Sequence, residues 1–200
     1  MEQLPRTIRE QIIERLREQV VSGALPPGES LKETDFAKRY GVSRGPVRDA
    51  FLSLAQEGLL LYQPNRGVTV NTPPKPENRE LIASLRQQIE VFVVRQGLKT
   101  LSPESIAELE ERLAELKQAC DAEDSSTVAR ADLAFHETLL LACDGGEFLP
   151  IWKWLCSQML MTYTRLESFS EAYNEHAEIL VAVRSGKSSS VAKTLKSNIQ

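Results

Sequence analysis

Apolar residues recur at helical spacing between Thr7 and Val21, where Ile8, Ile12, Ile13, Leu16 and Val20 share a face and Ser22-Gly23 closes the run. Ala24-Leu25-Pro26-Pro27-Gly28 reads as a turn. A short helix is predicted from about Glu33 to Tyr40, with Gly41 as the turn residue after it. Ser43 then stands as the N-cap of a helix running to about Glu57, ended by Gly58. There the period changes. Leu59-Leu60-Leu61-Tyr62 and Gly67-Val68-Thr69-Val70 read as two short strands joined by the turn residues Gln63-Pro64-Asn65-Arg66. The rest of the chain reads as helix, over about 78–99, 103–121, 125–142, 147–167, 170–185 and 188–199. The separators are Leu101-Ser102-Pro103, Asp124-Ser125, Asp144-Gly145-Gly146 and Ser185-Gly186-Lys187.

Three prolines in the four positions Pro73 to Pro76 cannot continue a helix or a central strand, so a domain boundary is placed there. The reading is a mainly α protein. Residues 1–72 form a winged helix-turn-helix of three helices and a β-hairpin wing, and 73–78 are a Pro-rich linker. Residues 79–200 form an antiparallel all-α bundle of about six helices.

Charge adds a division between the halves. Residues 1–72 hold ten Lys or Arg against nine Asp or Glu, and residues 73–200 hold fourteen against nineteen, so the acidity belongs to the second half. A near-neutral domain binds DNA when its basic groups gather on one face. No segment approaches the roughly 18 unbroken apolar residues of a membrane span, and Met1 to Arg9 has no signal-peptide core, so the expectation is a cytoplasmic protein without a membrane partner. Cys120, Cys143 and Cys156 are odd in number and widely spaced, which fits packed, reduced thiols rather than a disulfide framework or a metal knuckle.

The order helix, helix, tight turn, helix, hairpin suits insertion of the third helix into the major groove. Arg44 lies in its first turn and Arg48 one turn further on the same face, where two guanidiniums reach one DNA surface. Arg66-Gly67 at the hairpin tip suits backbone or minor-groove contact. The competing reading is a small helical core of Leu16, Phe36, Val42, Val47, Phe51 and Leu54 with the arginines as solvated surface; it leaves the wing and the phasing of the arginines without a role.

Ser22-Gly23-Ala24-Leu25-Pro26-Pro27-Gly28, Gly41-Val42-Ser43-Arg44-Gly45-Pro46-Val47-Arg48 and Asn65-Arg66-Gly67 resemble the GntR family of bacterial regulators. The resemblance implies a homodimer whose paired recognition helices read a short palindromic operator in double-stranded DNA, with Ser43, Arg44, Gly45, Arg48, Arg66 and Gly67 as contacts. Some members carry a DNA-contacting arginine at the start of the second helix. Here that position is Thr34, which predicts a different base preference.

Asp132 and His136 lie four apart on a predicted helix, so a carboxylate and an imidazole project from one face. That spacing serves a metal ion or a simple hydrogen-bonded pair, and the residues alone leave both open. Residues 79 to 200 resemble the FCD sensor domain of the FadR-like branch, in which Asp-x-x-x-His and a later Glu-His, here Glu175-His176, carry metal ligands. The resemblance implies a divalent ion, Zn²⁺, Ni²⁺ or Mn²⁺, on Asp132, His136 and His176, with Asn198 where the pattern has a third histidine. An amide oxygen is a weaker ligand than imidazole and suits a harder cation. Effectors of that branch are small organic acids, and Arg86 and Arg165 stand at positions resembling its cavity arginines. Arg86 lies four residues before Glu90, a spacing that also suits a surface pair. Trp152, Trp154, Met159 and Met161 read as core or dimer interface rather than a ligand box.

The expected function is thus a DNA-binding regulator controlled by a small acid and not an enzyme. Two alternatives stand beside it: a regulator without effector whose second domain only dimerises, and a metal-dependent enzyme of small acids. Glu137 and Glu175, each adjacent to a proposed ligand, are expected to point away along their helices, which leaves the enzyme without a general base.

Overall fold

A computed structural model of the chain describes residues 7–63, 67–162 and 168–199. The chain divides into two compact units, one of residues 1–75 with Leu160–Thr162, the other of Pro76–Met159 with residues 163–200.

In the first unit, helix α1 (Ile8–Val21) begins in a reciprocal cap: the Thr7 hydroxyl accepts from the Glu10 amide at 3.2 Å, and the Thr7 amide donates to the Glu10 carboxylate at 2.8 Å. Helix α2 (Glu33–Tyr40) ends at Gly41, whose left-handed φ of 66° turns the chain into α3 (Arg44–Gln56). Strands β2 (Leu60–Gln63) and β3 (Gly67–Val70) form the expected hairpin, with Leu60 opposite Val70 and Gln63 opposite Gly67. The sequence reading missed a third strand, β1 (Ser30–Leu31), which pairs antiparallel with β3 and gives the order β1-β3-β2. Two residues display no alternation, so only the pairing of Leu31 with Val68 makes this a strand. Leu16, Val47, Ala50, Phe51, Leu54, Leu59 and Leu60 are buried in one core.

The second unit contains, among the described residues, six α-helices: α4 (Arg79–Gly97), α5 (Pro103–Asp121), α6 (Ser125–Ala142), α7 (Leu149–Leu160), α8 (Phe169–Arg184) and α9 (Ser188–Asn198). The α7 helix stops at Leu160, short of the expected 167, and residues 163–167 lie outside the described residues. Local caps start α5 and α6, where Ser102 accepts from the Ser105 amide at 3.1 Å and Asp124 from the Ser126 amide at 3.1 Å. Val93, Val94, Leu109, Phe135, Leu139, Trp152, Ile179, Val191 and Leu195 build the main core. At Gly97 a Cβ would collide with the backbone of Cys143, so glycine there lets α4 approach the end of α6. All three cysteines are free and buried; burial pushes the Cys143 thiol up to about 11 and the Cys156 thiol to about 12. No helix among the described residues is long and apolar enough to cross a membrane.

Candidate functional site

The first unit presents Thr34, Ser43, Arg44, Gly45, Arg48 and Gly67 to solvent. Ser43 occupies the N-cap position of α3, but its side chain makes no capping hydrogen bond, which corrects the expected cap. Its hydroxyl and the first amides of α3 are therefore not tied to each other. Arg44 and Arg48 do share a face. They converge on Glu33 in the first turn of α2: Arg44 donates to Oε2 from Nη2 at 2.8 Å and from Nε at 3.3 Å, while Arg48 Nε lies 4.0 Å from Oε1. The sequence reading passed over Glu33, eleven residues from Arg44. Thr34, beside it, donates to Asp35 at 3.2 Å. Gly67 has φ +93° at the start of β3, a backbone that favours glycine beside the hairpin tip. Arg66 lies outside the described residues.

In the second unit, α4, α6, α7, α8 and α9 bring polar side chains to one buried cluster. Asp132, His136 and His176 each offer a ligand atom, all within 4.8 Å of one another. The imidazoles are nine-tenths or more buried and meet edge to face, with ring centres 5.1 Å apart. His136 Nδ1 lies 2.7 Å from the Glu90 carboxylate, and His176 Nδ1 lies 2.7 Å from the Ala172 carbonyl one turn back. In a neutral ring these acceptors hold the hydrogen on Nδ1 and leave a lone pair on Nε2. The two Nε2 atoms then face oxygens, His136 toward Asn198 Oδ1 at 2.9 Å and His176 toward Asp132 Oδ1 at 3.0 Å. The second approach lacks hydrogen-bond alignment, so His176 Nε2 is buried without a hydrogen-bond partner among the described residues.

Where no cation is bound, the facing charges favour a proton on His176 in place of that lone pair. Burial works to raise the Asp132 carboxyl, but the charge of His176, then those of His136 and Arg86, hold it well below the usual carboxylate range. Burial works to lower the His176 imidazole; the facing Asp132 outweighs it and raises the group above its ordinary value. The donor set of two nitrogens anchored from behind, one carboxylate and one amide oxygen fits a divalent cation of intermediate hardness.

Glu90, which the sequence reading treated only as a partner for Arg86, is the centre of the surrounding network. Its carboxylate accepts from Arg86 Nε at 2.9 Å, from the Trp152 indole at 2.7 Å and from His136 Nδ1 at 2.7 Å. Desolvation would raise it, yet the charges of His136 and Arg86, with the hydrogen bonds from His136 and Trp152, bring it down to about 2. The surface-pair reading of Arg86 is therefore corrected: both partners are buried. Arg86 Nη2 has no hydrogen-bond partner among the described residues and lies 4.0 Å from Asp132 Oδ2. Trp152 is core as expected, while Trp154 is exposed. Arg165 lies outside the described residues. Glu137 pairs with Lys153 at 2.8 Å. Glu175, expected to point away, instead accepts from Asn198 Nδ2 at 2.9 Å, because the end of α9 comes back over α8.

Comparison with known proteins agrees with both units. Residues 8–70 match the family described as bacterial regulatory proteins, gntR family, and residues 81–200 match the FCD domain. The HTH-type transcriptional repressor RspR of Escherichia coli (strain K12) is 31% identical over 137 residues, 68% of this chain and 60% of that protein. The chain thus spans 60% of the length of that curated relative. The HTH-type transcriptional regulator McbR of the same strain is 32% identical over 158 residues, 78% of this chain and 67% of McbR. Among solved structures, E. coli McbR/YncC shares the fold, with a TM-score of 0.77 at 23% identity, over 98% of this chain and 95% of that one. With the FCD match covering more than half of its residues, the chain belongs to the GntR family of bacterial regulatory proteins, in the branch that carries an FCD domain.

Proposed function

We propose that the protein is a cytoplasmic, DNA-binding transcription regulator whose operator affinity is set by a small organic acid, held beside a divalent cation in the FCD unit. The observation that carries the sensing part is a pair of buried atoms without hydrogen-bond partners among the described residues, Arg86 Nη2 and His176 Nε2, at one cluster. Leaving a buried atom such as Arg86 Nη2 unmet costs about 1–3 kcal/mol or more, and His176 Nε2 has only the misaligned Asp132 carboxylate, 3.0 Å away. A carboxylate ligand would accept from Arg86, and a cation would meet the His176 lone pair. Asp132, His136, His176 and Asn198 would hold Zn²⁺, Ni²⁺ or Mn²⁺, which when bound supplies positive charge for the acid's carboxylate. Asp132, with 29% of its side chain exposed, gives the cluster its access to solvent.

Operator binding rests on the convergence of Arg44 and Arg48, two guanidiniums on one exposed face of α3. A homodimer is supported by Leu81, Leu85 and Phe92, exposed apolar residues at helical spacing along α4 that a second copy would cover. The acid alters operator affinity only as far as it binds the DNA-bound and free forms unequally.

The test is selection of bound duplexes from a random pool by the full chain, repeated with a panel of small organic acids and of Zn²⁺, Ni²⁺ and Mn²⁺. The expected result is a short palindrome whose recovery changes when one acid is added. A palindrome indifferent to every acid and cation would leave a regulator without effector, a reading favoured by Asn198 standing where the FCD pattern has a third histidine. No enriched sequence would overturn the DNA-binding reading.

A further inference from the structure

We propose that Glu175 is the positioning residue that keeps the buried cluster ready for a cation, by deciding which atom of the Asn198 amide faces His136. The inference rests on reading that cluster as a cation site. A carboxylate accepts hydrogen bonds and donates none when ionised, so Glu175 Oε2, at 2.9 Å, selects the Nδ2 side of the amide. The carbonyl oxygen is thereby turned the other way, to 2.9 Å from His136 Nε2. His136 has the Glu90 carboxylate at its other nitrogen and His176 has the Ala172 carbonyl, so each neutral ring directs a lone pair inward. Asp132 adds a carboxylate oxygen 3.0 Å from His176 Nε2. In that tautomer electron-rich atoms from α6, α8 and α9 face one another, an arrangement that a divalent cation satisfies in place of the ring protons.

The amide has a second orientation. If it turned over, Nδ2 would donate to the His136 lone pair and the nitrogen would be engaged by the protein itself. The site would close without an ion. Nothing in the shape of an asparagine side chain forbids this, because its two ends are nearly equal in size; only the hydrogen-bonding partners choose. Glu175 is the partner that chooses. The C-terminal end of α9 is itself fixed, since Ile199 is buried in the core and its carbonyl accepts from Gln87, the neighbour of Arg86 on α4. The amide therefore turns about its own side-chain bonds while the backbone stays in place.

The experiment uses the full chain and four forms: unaltered, Glu175→Gln, Asn198→Asp, and both changes together. Uptake of Mn²⁺ and of Zn²⁺ is measured by titration calorimetry, alongside the melting temperature without metal. Glutamine both donates and accepts, so it no longer selects the amide orientation, and Glu175→Gln is expected to weaken cation uptake about 10- to 100-fold, the range for outer partners of metal ligands. Its metal-free melting temperature stays close to that of the unaltered chain. Aspartate at 198 has only acceptor atoms when ionised and repels Glu175, so in the Asn198→Asp background Glu175→Gln is expected to leave uptake unchanged or to raise it. That coupling separates orientation from the loss of one negative charge, which would weaken uptake equally in both backgrounds. Equal weakening, or unchanged uptake in Glu175→Gln, overturns the role of Glu175. Absence of uptake by the unaltered chain overturns the cation reading itself, while the DNA selection continues to test the regulator.

Discussion

Glu33 in the first unit and Glu90 in the second each gather basic side chains, and their surroundings give the same chemistry opposite uses. Around Glu33, Arg44 and Arg48 keep 67% and 61% of their side chains exposed. Water screens such pairs, so they hold the arginines lightly and release them to a phosphate or a base at little cost. Around Glu90, Arg86 is 6% exposed and the carboxylate 2%. Charges there have lost their hydration, so each depends on the others, and removing one strands the rest. A half-buried carboxylate beneath exposed arginines arranges them for a partner yet to arrive, whereas a fully buried one fixes a geometry that folding has already completed.

The comparison breaks first at Glu90. Glu90→Ala leaves the Arg86 guanidinium and the Trp152 indole buried without their acceptor, and is expected to destabilise the second unit by about 3–5 kcal/mol in urea unfolding. A loss below about 1 kcal/mol, the range of a surface pair, would erase the contrast with Glu33. Acid unfolding tests the same carboxylate. Because its folded value lies near 2, below the ordinary 4.5, its contribution is complete above pH 4.5 and is lost as the pH falls toward 2. That contribution is on the order of 3 kcal/mol, and Glu90→Gln should flatten the stability profile over that interval.

Smaller effects fall on the first unit. Arg48→Ala should weaken binding to the selected operator by about 1–3 kcal/mol while the melting temperature hardly moves, the reverse of the Glu90 pattern. Unchanged affinity would remove α3 as the recognition helix. Glu33→Gln should shift stability by less than about 1 kcal/mol, measured by thermal unfolding; a larger loss would make Glu33 a core residue rather than an organiser of surface arginines.

The helices of both units were legible because their signals are local. A 3.6-residue apolar period, caps such as Ser102 and Asp124, and turn glycines such as Gly41 act within a few positions of themselves. Asp132 and His136 were legible for the same reason, lying one turn apart on α6. Glu33 and Glu90 were missed as organisers because each looks, in its own helix, like one more solvated acid. The pair Arg86 and Glu90 had a readable spacing, but spacing does not reveal burial.

By itself, then, the sequence determined the helices and the hairpin, the two-part organisation, the phased arginines of α3 and the residues of the GntR and FCD motifs. The tertiary structure alone decided that Ser30–Leu31 pairs with β3, that Trp152 reaches a carboxylate 62 residues away, and that Glu175 turns toward Asn198. The physical reason is range. Periodicity and capping are set by bonds within a turn or two, whereas the burial of a charge and the choice of its partner depend on which helices close over it.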